Sequence, residues 1–332
     1  MTDRLAVRKT YKLYLGGAFP RSESGRTSEV TDAKGGVKTL DTKKVLIADN
    51  LNRAVLMGYS YIAYGSWDVR DSTNCLIVML SYTLQMYFDF SGYSDMAIGL
   101  GKMFNIDLPQ NFNSPYKALT ILDHWKRWHI TLTRFLTKYI YIPLGGSRRG
   151  EARTYLNIMI VYLLSGLWHG AGWTYVCWGA LHGLFCVLTR WGKRVFARIP
   201  KALNWFVTFL FINLGFIIFR ADSLGQAFSV IGRIFSFDFG PVHPDIYSGF
   251  QLTEVMLPLS KLPFIGRFVY WPPMMMLLFL AVCMFIVLVP KNAYEKMQRL
   301  QPRPLALVGV LILLVWCIFS FGTVSAFLYF NF

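Results

Sequence analysis

Long apolar stretches separated by short basic stretches make up most of the chain from residue 45 onward. Three of them, at 203–221, 272–290 and 305–322, come close to the roughly 20 residues that an α-helix needs to cross a bilayer. The pattern predicts a membrane-spanning helix over each of these three stretches.

Two other apolar stretches are interrupted by polar residues or glycine. The stretch 75–100 contains Asp89 and Asp95, and the stretch 155–190 carries several glycines around His169. We expect 155–190 to form two helices with a glycine-rich break. Such a break is tolerated at membrane depth only where protein or a water-filled cavity surrounds it.

Residues 119–141 mix aromatic and basic side chains instead of forming an apolar run. This composition predicts a helix that lies at the membrane interface or enters the bundle only in part. No internal repeat is visible in the sequence.

The composition places the chain among membrane proteins. Apolar residues make up 54% of the sequence and charged residues only 16%, whereas about a quarter of the residues of a soluble domain are charged. The five cysteines show no C-x-x-C spacing, so we expect reduced, buried thiols and no disulfide framework or zinc ribbon.

The basic excess lies mainly in the stretches between predicted helices and in the N-terminal segment. The chain has 34 Lys and Arg against 18 Asp and Glu, a net charge of +16. Segments 191–202 and 291–304 are basic, and 222–271 is more acidic, so the positive-inside rule places the first two in the cytoplasm and the third outside. The charge therefore favours contact with lipid headgroups and solvent over binding to nucleic acid.

His169 is the strongest candidate for chemistry, because an ionisable side chain inside an apolar run is costly. An imidazole can take a proton from a hydroxyl and return it to a leaving group near neutral pH. The flanking Trp168 and Trp173 are suited to wall a narrow, dry passage. A structural histidine bonded to a backbone carbonyl across the glycine break is an equally weighted alternative.

The remaining polar residues give weaker signals. His124 and His129 are five residues apart, about 140° on a helix, so they cannot share a face as two metal ligands would, and a metal site is unsupported. For Asp89 and Asp95, ion pairs with a basic residue such as Arg127 are favoured over catalytic duty. Nucleophile-elbow, P-loop and H-x-x-x-x-D motifs are absent.

Five motifs, in order along the chain, carry a family resemblance. They are YFDFSGYSDMAIG at 87–99, PQNFN at 109–113, WKRWHI at 125–130, YIPLGG at 141–146 and LWHGAGW at 167–173. Together they closely resemble the membrane-bound O-acyltransferase family, in particular its bacterial branch that acts on alginate and teichoic acids. The resemblance runs from about residue 43 to the end of the chain.

The resemblance implies an all-α, polytopic transmembrane helix bundle arranged as a ring with a central pore. His169 matches the family's essential histidine and His129 its second histidine. The resemblance implies that His169 acts as general base on an acceptor hydroxyl, and that His129 orients the acyl group or the oxyanion. Further motif residues are expected to line or support the substrate channel: Trp168, Trp173, Asp95, Asn111 and Arg127.

The implied reaction moves an acyl group, in the first instance acetyl, toward hydroxyls of an exported polysaccharide such as alginate. The donor is an acyl thioester, acetyl-CoA or an acyl carrier protein, presented from the cytoplasm, and no resident cofactor is expected. The implied surroundings are the bacterial inner membrane, which the chain crosses several times, and polysaccharide acetyltransferases outside that membrane.

Residues 1–42 depart from this pattern, because they are polar and contain no apolar run. A short strand and turn are expected over 12–20, and the segment resembles the opening of an aldehyde dehydrogenase. We expect 1–42 to be foreign or disordered and 43–332 to form an acyltransferase core without the family's first helices. The alternatives are an inactive remnant or docking component, and a transporter, whose paired repeats are not seen.

Overall fold

A computed structural model of the protein describes residues 5–6, 43–64, 71–263, 271–298 and 304–319. Helices dominate these residues, which confirms the all-α class. The strand and turn expected over 12–20 lie outside the described residues. The one sheet found is a parallel pairing of two short strands, β1 (Leu5–Ala6) and β2 (Ile106–Asp107).

The centre of the fold is α2 (Ser72–Met103), which packs along α1 (Asp49–Tyr64). A short π-helix, Lys43–Ala48, precedes α1. The carboxylate of Asp71 caps α2 by accepting the backbone N–H of Asn74 at 2.7 Å. Residues 81–92 are all buried, as is typical of a helix surrounded by protein on every side.

The aspartates and glycines that interrupt the apolar stretch 75–100 do not break the helix, since α2 is continuous over 32 residues. Glycine inside a helix costs about 1 kcal/mol relative to alanine. Burial around Gly92 outweighs that cost, and Gly99 lies in the last turns of the helix, where it is exposed.

The segment after α2 is divided more finely than the sequence predicts. A 3-10 turn (Pro115–Lys117) leads into α3 (Ile121–Arg127), α4 (Ile130–Leu136) and a π-helix (Thr137–Tyr141). The single helix expected over 119–141 is thus broken between α3 and α4. At the break His129 adopts the left-handed region with φ 43°.

The two helices expected over 155–190 are confirmed as α5 (Glu151–His169) and α6 (Trp173–Trp191), which pack side by side. Two glycines allow the close approach. A Cβ at Gly166 would collide with the carbonyl oxygen of Tyr175, and a Cβ at Gly179 would collide with that of Tyr162. At the far end of the pair, Arg190 forms two hydrogen bonds with the carboxylate of Glu151.

Further helices follow α6 in order in the described chain. The helices are α7 (Lys193–Phe196), α8 (Lys201–Arg220), α9 (Leu224–Ile234), α10 (Pro244–Ser248), α11 (Thr253–Ser260), α12 (Pro272–Leu288), α13 (Ala293–Gln298) and α14 (Pro304–Phe319).

Within the described ranges, α8 is the one helix long and apolar enough to cross a membrane. It coincides with the predicted span 203–221. The predicted spans 272–290 and 305–322 are also helical, as α12 and α14, but these helices are shorter, with 17 and 16 residues. Further crossings, and a ring around a pore, stay predictions.

Hydrogen bonds between loops and helix ends show which segments lie together at each of the two ends of the fold. At one end, Trp205 near the start of α8 donates to the carbonyl of Tyr116 at 2.8 Å, and Lys117 donates to the carbonyl of Pro290 at 2.7 Å. At the other end, the start of α2 meets the loop after α9, where the N–H of Ser72 donates to the carbonyl of Asp238 at 2.8 Å. The two basic segments predicted to be cytoplasmic therefore adjoin the same end of the fold.

Candidate active site

A narrow cavity lies where α2, the α3–α4 break, α5, α6 and α8 meet. Its walls are almost entirely aromatic and apolar, and the polar exceptions are two histidine side chains. The lining residues are Met86, Trp125, Trp128, His129, Leu132, His169, Trp178, Phe216 and Phe219.

His169 is the last residue of α5 and is buried, with 6% of its surface exposed. Its ring makes edge-on contacts with Trp178, at 5.4 Å between ring centroids, and with Phe219, at 5.1 Å. The chain turns directly after it, because Gly170 and its neighbours break the helix before α6 begins. The glycine-rich break thus places an imidazole at a helix end and against the cavity.

His129 reaches the same cavity from the break between α3 and α4. Its ring lies edge-on to Phe90 at 4.8 Å between centroids. Trp168 contacts both histidines, with centroid distances of 4.8 Å to His169 and 6.4 Å to His129. The structure therefore brings together three residues that the sequence singles out.

Asn111 joins this group through hydrogen bonds. Its Oδ1 lies 3.2 Å from Nδ1 of His129 and 2.9 Å from the hydroxyl of Thr131, and its Nδ2 donates to the hydroxyl of Ser94 at 3.4 Å. The backbone carbonyl of Asn111 accepts the N–H of Ile130 at 3.0 Å. Asn111 thus ties the second histidine to α2.

The other predicted site residues lie away from the two histidines or have different partners. Asp95 is half-buried on α2, one residue after Ser94. Trp173, at the start of α6, is 76% exposed and does not line the cavity. Arg127 pairs with Asp123, one turn earlier, at 2.8 Å, so the expected ion pair with Asp89 or Asp95 is wrong for this residue.

Sequence reasoning missed most of the cavity wall. Trp125 and Trp178, and the pair Phe216 and Phe219 on α8, line the cavity but look like ordinary core residues in the sequence. The spacing of three residues that puts Phe216 and Phe219 on one face of α8 is a signal, although any buried helix shows it. Across the described ranges, no three His, Cys, Asp or Glu side chains come together as metal ligands.

Comparison with known proteins agrees with the resemblance. Residues 41–224 match the sequence model of the membrane-bound O-acyltransferase family. This match covers more than half of the chain, and the protein belongs to that family.

Curated relatives fall in the same branch. The chain is 49% identical over 193 residues to a peptidoglycan O-acetyltransferase of Helicobacter pylori, covering 57% of this chain and 36% of the relative. It is 40% identical over 228 residues to a probable alginate O-acetylase, AlgI, of Pseudomonas aeruginosa, covering 68% and 43%. A teichoic acid D-alanyltransferase of Bacillus subtilis is 28% identical over 160 residues, covering 43% and 40%. The chain thus spans about two fifths of the length of these relatives.

Proposed function

We propose that this protein is a membrane O-acyltransferase that moves an acyl group from a thioester donor to a hydroxyl of an exported polysaccharide. One observation carries the proposal: two histidines 40 residues apart in sequence line one narrow aromatic cavity, with Trp168 in contact with both. The family membership and the names of the relatives support the same reaction class. Acetyl is the acyl group that the names of the two more similar relatives favour.

The chemistry needs a base and an enclosed site. The hydroxyl oxygen of the acceptor forms a bond to the thioester carbonyl carbon, and the carbon–sulfur bond breaks to release a thiolate. His169 takes the hydroxyl proton during the attack and passes it to the departing sulfur. The aromatic walls limit the access of water, which would otherwise hydrolyse the thioester.

His169 suits this role for a structural reason as well as a chemical one. It ends α5 at the glycine break, so reactants can approach its ring without crossing a continuous helix. Its ring is held by edge-on contacts with Trp178 and Phe219. A base fixed in this way keeps its orientation between turnovers, which raises the fraction of productive encounters.

The charge distribution supports delivery of the donor from the cytoplasm. Arg148 and Arg149 follow the π-helix Thr137–Tyr141, and the segment 191–202 contains four Lys or Arg and no acidic residue. Acyl carrier proteins and coenzyme A are anionic, and a basic surface raises their local concentration. The acceptor then enters from the opposite face of the bacterial inner membrane, which the chain crosses several times. Polysaccharide acetyltransferases outside the membrane are the proposed onward partners.

Alginate and peptidoglycan are the two acceptor polymers that the names of the O-acetylating relatives offer. Both present sugar hydroxyls outside the cytoplasmic membrane, so the cavity needs to admit only the acyl group and the hydroxyl-bearing edge of one sugar. The proposal therefore fixes the reaction and the type of acceptor group, and the choice of polymer follows from the experiment below.

The test is complementation of a strain that lacks its own copy of the gene. Strains carrying wild-type protein, His169→Gln or His243→Gln are compared for base-labile acetyl on their secreted alginate and on their peptidoglycan. His243 is a matched control, because it caps α10 by accepting the N–H of Asp245 at 3.3 Å and does not line the cavity.

We expect His169→Gln to abolish acetylation of one polymer while its abundance in the membrane fraction stays at the wild-type level. His243→Gln should keep acetylation near wild type. Full acetylation by His169→Gln would overturn the assignment of the base. Failure of wild-type protein to acetylate either polymer would overturn the function.

A further inference from the structure

The side-chain oxygen of Asn111 can be identified from its neighbours. The backbone N–H of Thr131 points at this atom from 3.2 Å, and the Thr131 hydroxyl lies 2.9 Å from it. A backbone N–H can only donate, so the atom that it meets must be the acceptor of the amide, Oδ1, and not the NH₂ group. The NH₂ group then faces the hydroxyl of Ser94.

This identity fixes the proton on His129. Nδ1 of His129 lies 3.2 Å from the same Oδ1. An amide oxygen only accepts hydrogen bonds, so a hydrogen bond between these two atoms requires the proton on Nδ1. The Thr131 hydroxyl also lies 3.4 Å from Nδ1, but it donates its proton to Oδ1 at the shorter distance of 2.9 Å. Nδ1 therefore carries the proton and donates. In a neutral imidazole the other ring nitrogen, Nε2, then has a lone pair and can only accept.

The backbone reinforces this arrangement. His129 is held in the left-handed region, with φ 43° and ψ 53°, as it begins α4. The N–H of Ile130 donates to the backbone carbonyl of Asn111 at 3.0 Å, and the N–H of Asn113 donates to the carbonyl of Arg127 at 2.8 Å. These two bonds pair the Asn111 segment with the α3–α4 break, so the amide and the imidazole keep their relative position.

We propose that Asn111 is a positioning residue that holds His129 with its proton on Nδ1, so that Nε2 serves the reaction as a hydrogen-bond acceptor. The proposal rests on the function proposed above, in which a hydroxyl enters the cavity. His129 then accepts a hydrogen bond from a neighbouring hydroxyl of the same sugar, which leaves the proton of the attacking hydroxyl to His169 and orients that hydroxyl toward the thioester. It does not stabilise the negatively charged oxygen of the intermediate, since that task requires a donor. Of the two reactants, His129 therefore serves the acceptor.

The first test observes the proton directly and needs no change at Asn111. Purified full-chain protein with ¹⁵N-labelled histidine is placed in lipid nanodiscs, and the ring-nitrogen signals of His129 are assigned by their loss in His129→Gln. We expect a protonated Nδ1 and an unprotonated Nε2. A protonated Nε2 with a bare Nδ1 in wild-type protein would overturn the proposal.

The second test removes the amide while keeping its shape. Asn111→Leu should release the constraint, so that the His129 signals show the other tautomer or a mixture. Asn111→Asp, which keeps an oxygen acceptor at this position, should restore the proton on Nδ1. The control is Asn113→Leu, because Asn113 lies in the same motif but accepts a hydrogen bond from Asn292 at 3.0 Å and not from His129.

Kinetics then separate positioning from general damage. With a soluble sugar acceptor and acetyl-CoA, Asn111→Leu should lower kcat/KM for the acceptor about tenfold, the usual effect of one lost hydrogen bond, and leave KM for the thioester unchanged. Asn111 would not be a positioning residue for the acceptor if kcat/KM fell equally for both substrates. Wild-type kinetics together with an altered His129 tautomer would also contradict this role. Failure of the functional proposal would be visible separately, because acyl transfer would then survive in His169→Gln.

Discussion

The indole N–H of Trp125 donates a hydrogen bond to Nδ1 of His182 across 3.2 Å, joining α3 to α6. Both side chains are buried, with 7% and 3% of their surface exposed. Trp125 is a wall of the cavity, and His182 also packs against a second wall, Trp178, at 4.6 Å between ring centroids. His182 therefore supports two cavity walls from behind, without lining the cavity itself.

Replacing His182 with Phe should destabilise the protein through Trp125. An aromatic ring is kept, but the indole N–H is left buried without its acceptor, at a cost of about 1–3 kcal/mol. The expected result is a lower thermal midpoint in detergent, measured by intrinsic fluorescence.

A double-mutant cycle isolates this bond from other effects of the substitution. Trp125→Phe removes the donor, so adding it to His182→Phe should cost less than the sum of the two single changes. Strictly additive losses would show that the bond contributes nothing to stability.

The contact between Gly166 and Gly179 gives a second prediction. Alanine at either position drives a Cβ into a backbone carbonyl of the partner helix, and overpacking of this kind costs about 1–3 kcal/mol. Because α5 ends at His169, separation of α5 from α6 should also displace the imidazole that we propose as the base. We expect Gly166→Ala to lower both the thermal midpoint and the acyl-transfer rate.

Gly99→Ala is the matched control for that substitution. A Cβ at Gly99, also in a helix, has no neighbour within 4 Å. Alanine there should leave the transfer rate unchanged and raise helix stability by up to about 1 kcal/mol. Equal effects of the two alanines would argue against the close glycine contact.

The ion pair between Arg190 and Glu151 should matter little. It joins the ends of α5 and α6 with two short hydrogen bonds, but the side chains are 35% and 61% exposed. Exposed pairs contribute little to stability, because water and salt screen their charges. Arg190→Ala should therefore shift the thermal midpoint far less than Gly166→Ala. A larger shift would show that the ion pair, and not packing, is the main stabilisation of the α5–α6 contact.

Local sequence signals predicted the elements around His169 well. The glycines after His169 cannot continue a helix cheaply, and the two helices on either side follow directly. The division of 119–141 was not predictable in the same way. The break depends on the left-handed backbone of His129, which is held by Asn111 from a different part of the chain.

The cavity walls could not be predicted from sequence for a related reason. Trp178 and Phe219 have the apolar surroundings of any core residue, and only the packing of α6 against α8 brings them to His169. For Arg127, the local partner Asp123 was available one turn away, and a pair within one helix forms with less loss of chain entropy than one with α2. Motif resemblance singled out the two histidines, and packing determined what surrounds them.

The most direct test of the account is acyl transfer by purified protein in nanodiscs, with [¹⁴C]acetyl-CoA as donor and a soluble alginate or peptidoglycan fragment as acceptor. Wild-type protein and His243→Gln should form the labelled ester at similar rates, and His169→Gln should form none above background while keeping its thermal midpoint. Ester formation by His169→Gln at the wild-type rate would contradict the claim that this cavity is where the acyl group is transferred.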